Sequence, residues 1–382
     1  MIHFPRRLYV AGLIAVLLSF TWSQSYGEIV VGIGVSSPLT GINAANGKDI
    51  ENGVRLAVEE ANAQHIKLDG REARFELHSV DDQSDPRIGV QVAQKLVDDG
   101  VAVVVGYYNS GVAIPSARVF ASAGIPMIHP AATNPAITHQ GPKTVFRIIA
   151  TDTQNSGTAG KYAVNVMKAQ RIAVMDDRSA FGQGAVDEFK KAVTSAGGKI
   201  AIAEYTSDKA VEFSAQLTNI RAANADLLFF AGLDNQAALI AKRMKELGMR
   251  TRFVGSGGIA DSIFLNIAGP AAEGAMAWEY GRPVDTLPQG KAFMLKFRKR
   301  FGTDSLIYAP FAYDATWVAI HAMRQANSAK PGEFVPALRA MQYDGITGKI
   351  AFDTNGDLKN PTSTLYQVKG GRWFPVTTIG AE

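Results

Sequence analysis

Between residues 28 and 280 apolar positions fall into short blocks of two alternating kinds. Residues 28–35 form a nearly unbroken apolar run, after which Ile50, Val54, Ala57, Val58 and Ala61 recur at helical spacing over residues 50–63. Residues 74–80 alternate as a strand, and residues 88–97 are again amphipathic. Residues 101–105 then read as a buried strand running into a Gly-rich turn from Gly106 to Gly111. A helix-compatible stretch follows, and strand 125–128 stops at Pro130-Ala131-Ala132-Thr133. This order predicts a mostly parallel sheet covered by helices.

The pattern restarts after Arg147. Strand 171–175, helix 185–196 ended by Gly197-Gly198, strand 200–205, a helix around 214–223 and strand 227–231 follow in turn. A turn at Gly232-Leu233-Asp234 opens helix 236–247, and strand 252–254 runs into Gly255-Ser256-Gly257-Gly258. The halves correspond, because Gly106 to Pro130 and Gly232 to Gly255 are steps of 24 and 23 residues. Two α/β lobes, each presenting a pair of loops at its strand ends, would enclose a cleft. In open α/β sheets ligands bind outside the carboxyl ends of the strands. Exposed backbone N–H groups and the small hydroxyls of Ser110 and Thr133 suit a carboxylate there. Beyond about Tyr280 the order is irregular, with helices 289–301 and 313–327 and a hairpin-like tail turning at Asn355-Gly356 and Gly370-Gly371.

The amino terminus carries a different pattern. Arg6 and Arg7 precede 13 apolar residues, 8–20, and Ser25-Tyr26-Gly27 offers small residues for cleavage, so residues 1–27 read as a secretory leader. The apolar run is shorter than the roughly 18–20 residues a membrane span requires. The remaining 355 residues suit two lobes better than one core. Without Arg6 and Arg7 the chain carries 37 basic against 35 acidic residues, and no long basic run points to nucleic acid. The absence of cysteine excludes disulfides, thiolate metal sites, a Cys nucleophile and a lipidated amino-terminal Cys. The expected product is a monomeric soluble protein of the periplasm.

Signals for chemistry are broken or missing. Gly32-Ile33-Gly34 follows a strand, but Ser37-Pro38 stands where a dinucleotide fingerprint needs its third glycine. Residues 41–48 resemble a phosphate loop with one residue too many, and Asp49 replaces the magnesium-ligating hydroxyl, so this stretch reads as a loop and helix start. His65, His78, His129, His139 and His321 lack metal-ligand spacing. Gly255-Ser256-Gly257 is not a nucleophile elbow. Asp81-Asp82 reads as a polar strand end with a capping Asp before Pro86 rather than as an acid/base pair. No cofactor, metal or catalysis is expected.

Residues 29–140 and 171–275 resemble type I periplasmic binding proteins, specifically the branched-chain amino-acid receptors of ABC importers. The resemblance is carried by Pro38-Leu39-Thr40-Gly41, Asp81 to Pro86, Gly106 to Ser110, Pro130-Ala131-Ala132-Thr133-Asn134-Pro135, Phe181-Gly182-Gln183-Gly184, Ala272-Glu273-Gly274 and Tyr308 to Ala315. It implies two Rossmann-like lobes joined by three crossings, the first at 28–148 plus about 281–348, the second at 149–280 plus about 349–382. It also implies a ligand carboxylate held by Ser110 and Thr133 with backbone help from Ala131, delivery to a membrane permease, and Asn46, Tyr108, Ala132 and Leu233 as further ligand positions. Two positions depart from the family. Gly257 stands where amino-acid receptors place an acid against the ligand ammonium, which predicts a larger and less acidic pocket there, and Phe181 stands where a tyrosine often covers the ligand. Either Asp234 supplies the missing carboxylate, or Asp234 only caps a helix and the ligand is an aromatic acid, keto acid or amide without an α-ammonium. A dehydrogenase or hydrolase on the same scaffold is the alternative from another class.

Overall fold

The computed structural model describes residues 1–2, 27–140 and 143–380. The basic and apolar stretches of the expected leader lie outside the described residues. The chain first builds a six-stranded sheet from β1 (Ile29–Ser37), β2 (Lys67–Leu68), β3 (Arg71–Asp81), β4 (Val103–Gly106), β5 (Met127–His129) and β6 (Val145–Arg147), in the order β2-β3-β1-β4-β5-β6. All neighbours are parallel except the β2–β3 pair. Helices α1 (Ala44–Asn62), α2 (Pro86–Asp98) and α3 (Ser110–Ser122) make the crossovers.

After β6 the chain leaves this sheet through α4 (Asp152–Asn165) and starts a second one. Strands β7 (Ile172–Asp176), β8 (Ile200–Tyr205), β9 (Leu227–Ala231), β10 (Arg252–Gly255) and β11 (Met276–Tyr280) are parallel and joined by α5 (Ala180–Ser195), α6 (Ser214–Ala222), α7 (Asp234–Glu246) and α8 (Ser262–Ala268). The chain then returns. Helices α9 (Pro288–Phe301), α10 (Ala309–Ala326) and α11 (Pro331–Arg339) put Phe297, Trp317 and Phe334 into one core with Val31 and Ile33 of the first sheet and Val54 of α1. A hairpin, β12 (Gln342–Gly345) and β13 (Gly348–Ala351), precedes a last passage to the second sheet, where β14 (Ser363–Lys369) and β15 (Arg372–Ile379) add antiparallel to β11. The backbone therefore passes between the sheets near 148–151, 281–287 and 352–362.

Both sheets are covered on two faces, which is why their central strands are uniformly apolar. In the second lobe Phe230, Phe253 and Phe264 fill one face, while Phe189 stacks on Phe229 at 3.9 Å on the other. Several helices start earlier than apolar periodicity predicts: α1 by six residues, α5 by five, α10 by four. The first turns of α1 and α5 are polar or rich in Gly and show no apolar stripe, while α10 opens on the apolar Ala309-Pro310-Phe311-Ala312, whose proline marks a helix start. The phosphate-loop-like stretch is thus helical from Ala44 onward. At Gly47 a Cβ would stand 1.8 Å from the Pro38 carbonyl oxygen, so this turn of α1 packs directly on the segment leaving β1. Asp81 accepts from the Leu39 amide at 2.8 Å, Asp82 accepts from the Ser84 amide at 3.0 Å and the Ser36 hydroxyl at 3.2 Å, and Asp85 caps α2 through the Arg87 and Ile88 amides.

Candidate functional site

In the first lobe, α3 begins at Ser110 directly beyond β4. Its own hydrogen bonding starts with the Val112 and Ala113 amides on the Asn109 carbonyl, so the Ser110 and Gly111 amides precede it. The loop leaving β5 lies alongside, and the Asn134 amide donates to Ser110 Oγ at 3.3 Å. Thr133 is buried and its hydroxyl has no hydrogen-bond partner among the described residues. A helix amino terminus with unpartnered donors beside it suits a carboxylate.

The second lobe faces this wall with the starts of α5 and α7. Ser179 Oγ accepts from the Gly182 amide at 2.9 Å and fixes the first turn of α5, which carries Phe181. Between the walls lies a cavity of about 410 Å³. Of the residues expected to bind ligand, Tyr108, Ser110, Ala131, Thr133, Phe181 and Leu233 line it. Asn46, Ala132, Asp234 and Gly257 do not. Ala132 is buried and its carbonyl accepts from Arg147 Nη1 at 3.2 Å. Asn46 and Asp234 are both buried and meet across the lobes, Nδ2 donating to Oδ2 at 3.0 Å. The other Asp234 oxygen accepts from the Asn235 amide at 2.7 Å. A second bond across the cleft runs from Asn134 Nδ2 to the Ala180 carbonyl at 2.7 Å.

The expectation of a roomier, less acidic pocket at Gly257 is corrected. A Cβ there would stand 2.2 Å from Tyr280 Cζ, so the Tyr280 ring occupies the space a side chain would need. Tyr280 lines the cavity, as does Tyr308, which packs edge-on to Tyr108 at 5.4 Å. The corner is not short of acid either. Asp261, three residues beyond Gly258, is buried beside Asp234, and burial first, then the Asp234 carboxyl, push its pKa far above the ordinary carboxylate range. One Asp261 oxygen accepts from the Phe264 amide at 2.9 Å, and the carboxyl is otherwise hydrogen-bonded only to that of Asp234 among the described residues. Glu279 is also fully buried. Burial raises it to about 7, although the Gly258, Ile259 and Ala260 amides all donate to it. Among the described residues the Tyr108 hydroxyl has no hydrogen-bond partner, and burial and then the Asp234 and Asp261 carboxyls raise its pKa. Burial likewise raises Asp177, which lines the cavity, to about 6.

Tyr280, Tyr308 and Asp261 were missed by sequence reasoning. Tyr308 heads one of the stretches that carried the family resemblance, which was a usable signal. Tyr280 is the last residue of an apolar strand. Asp261 reads as the N-cap of α8, a role it also performs. Neither carries a local mark of the cleft.

A cavity of this size, set between two α/β lobes hung on three passages, defines a two-lobed receptor for a small polar ligand. The walls refine the description, with free donors on one side and uncompensated acids on the other. The chain belongs to the periplasmic binding protein family, whose profile matches residues 30–372. It is 32% identical over 367 residues to Leu/Ile/Val-binding protein homolog 1 of Brucella suis, covering 96% of this chain and 97% of that one. Its fold superposes on the leucine-binding protein LivK of Thermotoga maritima with a TM-score of 0.84 at 26% identity, covering 91% and 98% of the two chains. A solute-binding protein of an R. palustris ABC transporter, solved with benzoate, shares the fold with a TM-score of 0.82 at 23% identity over 91% and 96%. Among the described residues no helix is long and apolar enough to cross a membrane.

Proposed function

We propose that this protein is the exported solute receptor of an ABC importer and that it captures an aliphatic α-amino acid of the leucine type for a membrane permease. The ligand carboxylate sits at the start of α3 against the Ser110 and Thr133 hydroxyls, and its ammonium turns towards the wall backed by Asp234 and Asp261. One observation carries this reading: Asp234 and Asp261 are buried side by side and hydrogen-bonded to each other, and among the described residues their carboxyls otherwise meet only amides and Asn46, with no basic side chain to offset them. A buried pair of acids without a counter-charge stabilises a cation placed near it. The apolar part of the ligand meets Phe181 and Leu233. Binding releases the ligand to no chemistry; closure buries it, and the closed form is what the permease takes up.

A second reading rests on the aromatic lining. Tyr108, Tyr280, Tyr308 and Phe181 would also accept an aromatic carboxylate edge-on or stacked. One melting series separates the two. Leucine, its deaminated analogue 4-methyl-2-oxopentanoate and benzoate are compared at matched excess. At about 100 times its dissociation constant a ligand stabilises the fold by roughly 2.7 kcal/mol. Leucine is expected to raise the melting temperature while the other two leave it near the ligand-free value. A shift with benzoate or the keto acid and none with any α-amino acid would reject the amino-acid reading.

A further inference from the structure

A cavity larger than the cleft lies elsewhere in the molecule. A space of about 770 Å³ opens where the three passages between the lobes run side by side, and it shares no lining residue with the cleft cavity. Ile148 and Ala150 come from the first passage, Gly281 and Arg282 from the second, and residues 358–362 from the third. Phe311 of α10 and the β12–β13 hairpin complete the wall.

Two properties make this more than slack between moving parts. Its walls are pinned: buried Asp314 accepts from the Ile346 amide at 3.0 Å, the Thr347 amide at 2.8 Å and the Thr347 hydroxyl at 2.6 Å, which holds the hairpin turn onto α10. The Gly281 amide donates to the Thr362 carbonyl at 2.8 Å, and the Thr364 hydroxyl donates to the Gly281 carbonyl at 2.7 Å, tying the second passage to the third. Its lining is also divided by chemistry. The buried Ile148, Phe311 and Ile350 give an apolar floor. Lys349 and Lys359 stand at its rim, with Arg282 on the second passage and Asp344 opposite Lys349 in the β12–β13 ladder. Lys349 and Lys359 are exposed and neither forms an ion pair among the described residues. Ligand pockets of roughly 300–1,000 Å³ with apolar walls and a few placed polar groups cluster at domain boundaries.

We propose that this cavity is a second ligand site, for a small amphiphilic anion whose apolar body lies on Ile148, Phe311 and Ile350 and whose acid group meets Lys349 and Lys359. The inference is independent of what fills the cleft. Titration calorimetry on the mature chain, with octanoate as the probe, tests it in the absence and presence of saturating leucine. Saturable one-to-one octanoate binding that survives leucine is expected, with octan-1-ol binding more weakly. The exposed double variant Lys349→Gln, Lys359→Gln should lose roughly tenfold in octanoate affinity, the scale of two rim ion contacts, and keep its leucine affinity. No saturable binding, loss of binding when leucine fills the cleft, or undiminished affinity in the double variant would overturn the assignment. Failure of leucine itself to bind would count against the proposed function and leave the octanoate result readable.

Discussion

In the first lobe β4 enters α3 at Ser110 and β5 ends in the loop carrying Thr133; in the second, β9 enters α7 at Asp234 and β10 ends in the loop that leads to Asp261. The same strand–helix–strand device thus builds both walls, yet one finishes in donors and the other in buried acids. The donors are set mainly by their own lobe: Ser110 by α3 and the Asn134 amide, and Thr133 by its place just beyond β5, although Asn134 also bonds across to the Ala180 carbonyl and the Thr133 carbonyl accepts from the Asp152 amide. The acids depend on closure, because Asp234 is covered by Asn46 and the Asp234–Asp261 pair by Tyr108, both from the first lobe. On the proposed function the difference would assign two tasks: the first wall would hold the ligand's carboxylate, and the second would decide whether the ligand also carries a positive charge.

That division is most directly broken at the first wall. Ser110→Ala and Thr133→Val each remove a hydroxyl that would meet an ionised group, so each should weaken leucine binding by roughly 1–3 kcal/mol. Chemical denaturation of ligand-free Thr133→Val should be almost unchanged, since the Thr133 hydroxyl has no hydrogen-bond partner among the described residues, while Ser110→Ala loses only the long bond from the Asn134 amide and should cost about 1 kcal/mol or less. Calorimetry on both variants checks the pair of statements. Native-like affinity in both would place the carboxylate elsewhere and dissolve the contrast between the walls.

The second wall is sharpened by Gly257→Ala. The new methyl would collide with the Tyr280 ring, 2.2 Å from Cζ, and Tyr280 is packed in the core that joins α10 to the first sheet. Overpacking of this kind costs roughly 1–3 kcal/mol. A melting temperature equal to that of the parent would mean that Tyr280 moves aside freely and that the corner has spare room after all.

How much of this was legible in the chain follows from where each signal lies. The alternating β/α order and the paired loops at Ser110 and Thr133 could be read because glycine, proline and small hydroxyls punctuate strand ends locally. The two-lobed family resemblance could be read for the same reason. Gly257 was read as a missing acid that leaves room, and the room is filled. What fills the space is Tyr280, separated along the chain and brought back by the pairing of β10 with β11. Asp261 was hidden because an Asp before a short helix is fully explained as a cap. Packing between distant residues leaves no periodic mark, and a side chain with two roles advertises only the local one.

The smallest effect expected, and the one most specific to the acidic wall, is a pH trend. Burial raises Asp177 to about 6 and Glu279 and Asp152 to about 7, and Asp261 lies higher still because Asp234 faces it. In the unfolded chain these groups titrate near 3.8 or 4.5. A raised folded pKa means that the fold holds the proton more tightly. The stabilisation is full below about pH 4 and is lost as pH rises through the folded values. Asp81 and Asp85 are shifted the other way, so their contribution disappears only on acidification below the ordinary range and does not mask the trend. Burial holds His129 and His321 below the ordinary value of 6.5, which opposes the trend below that pH, so the ligand-free protein should melt progressively lower chiefly between pH 6.5 and 8.5. An ammonium near Asp234 and Asp261 offsets part of the charge that develops there, so the shift produced by leucine should grow over the same interval. Scanning calorimetry at four pH values, with leucine and with any carboxylate lacking the ammonium that binds, measures both slopes. Equal slopes for the two ligands would separate the acid pair from the ligand and leave the second wall with no part in selecting charge.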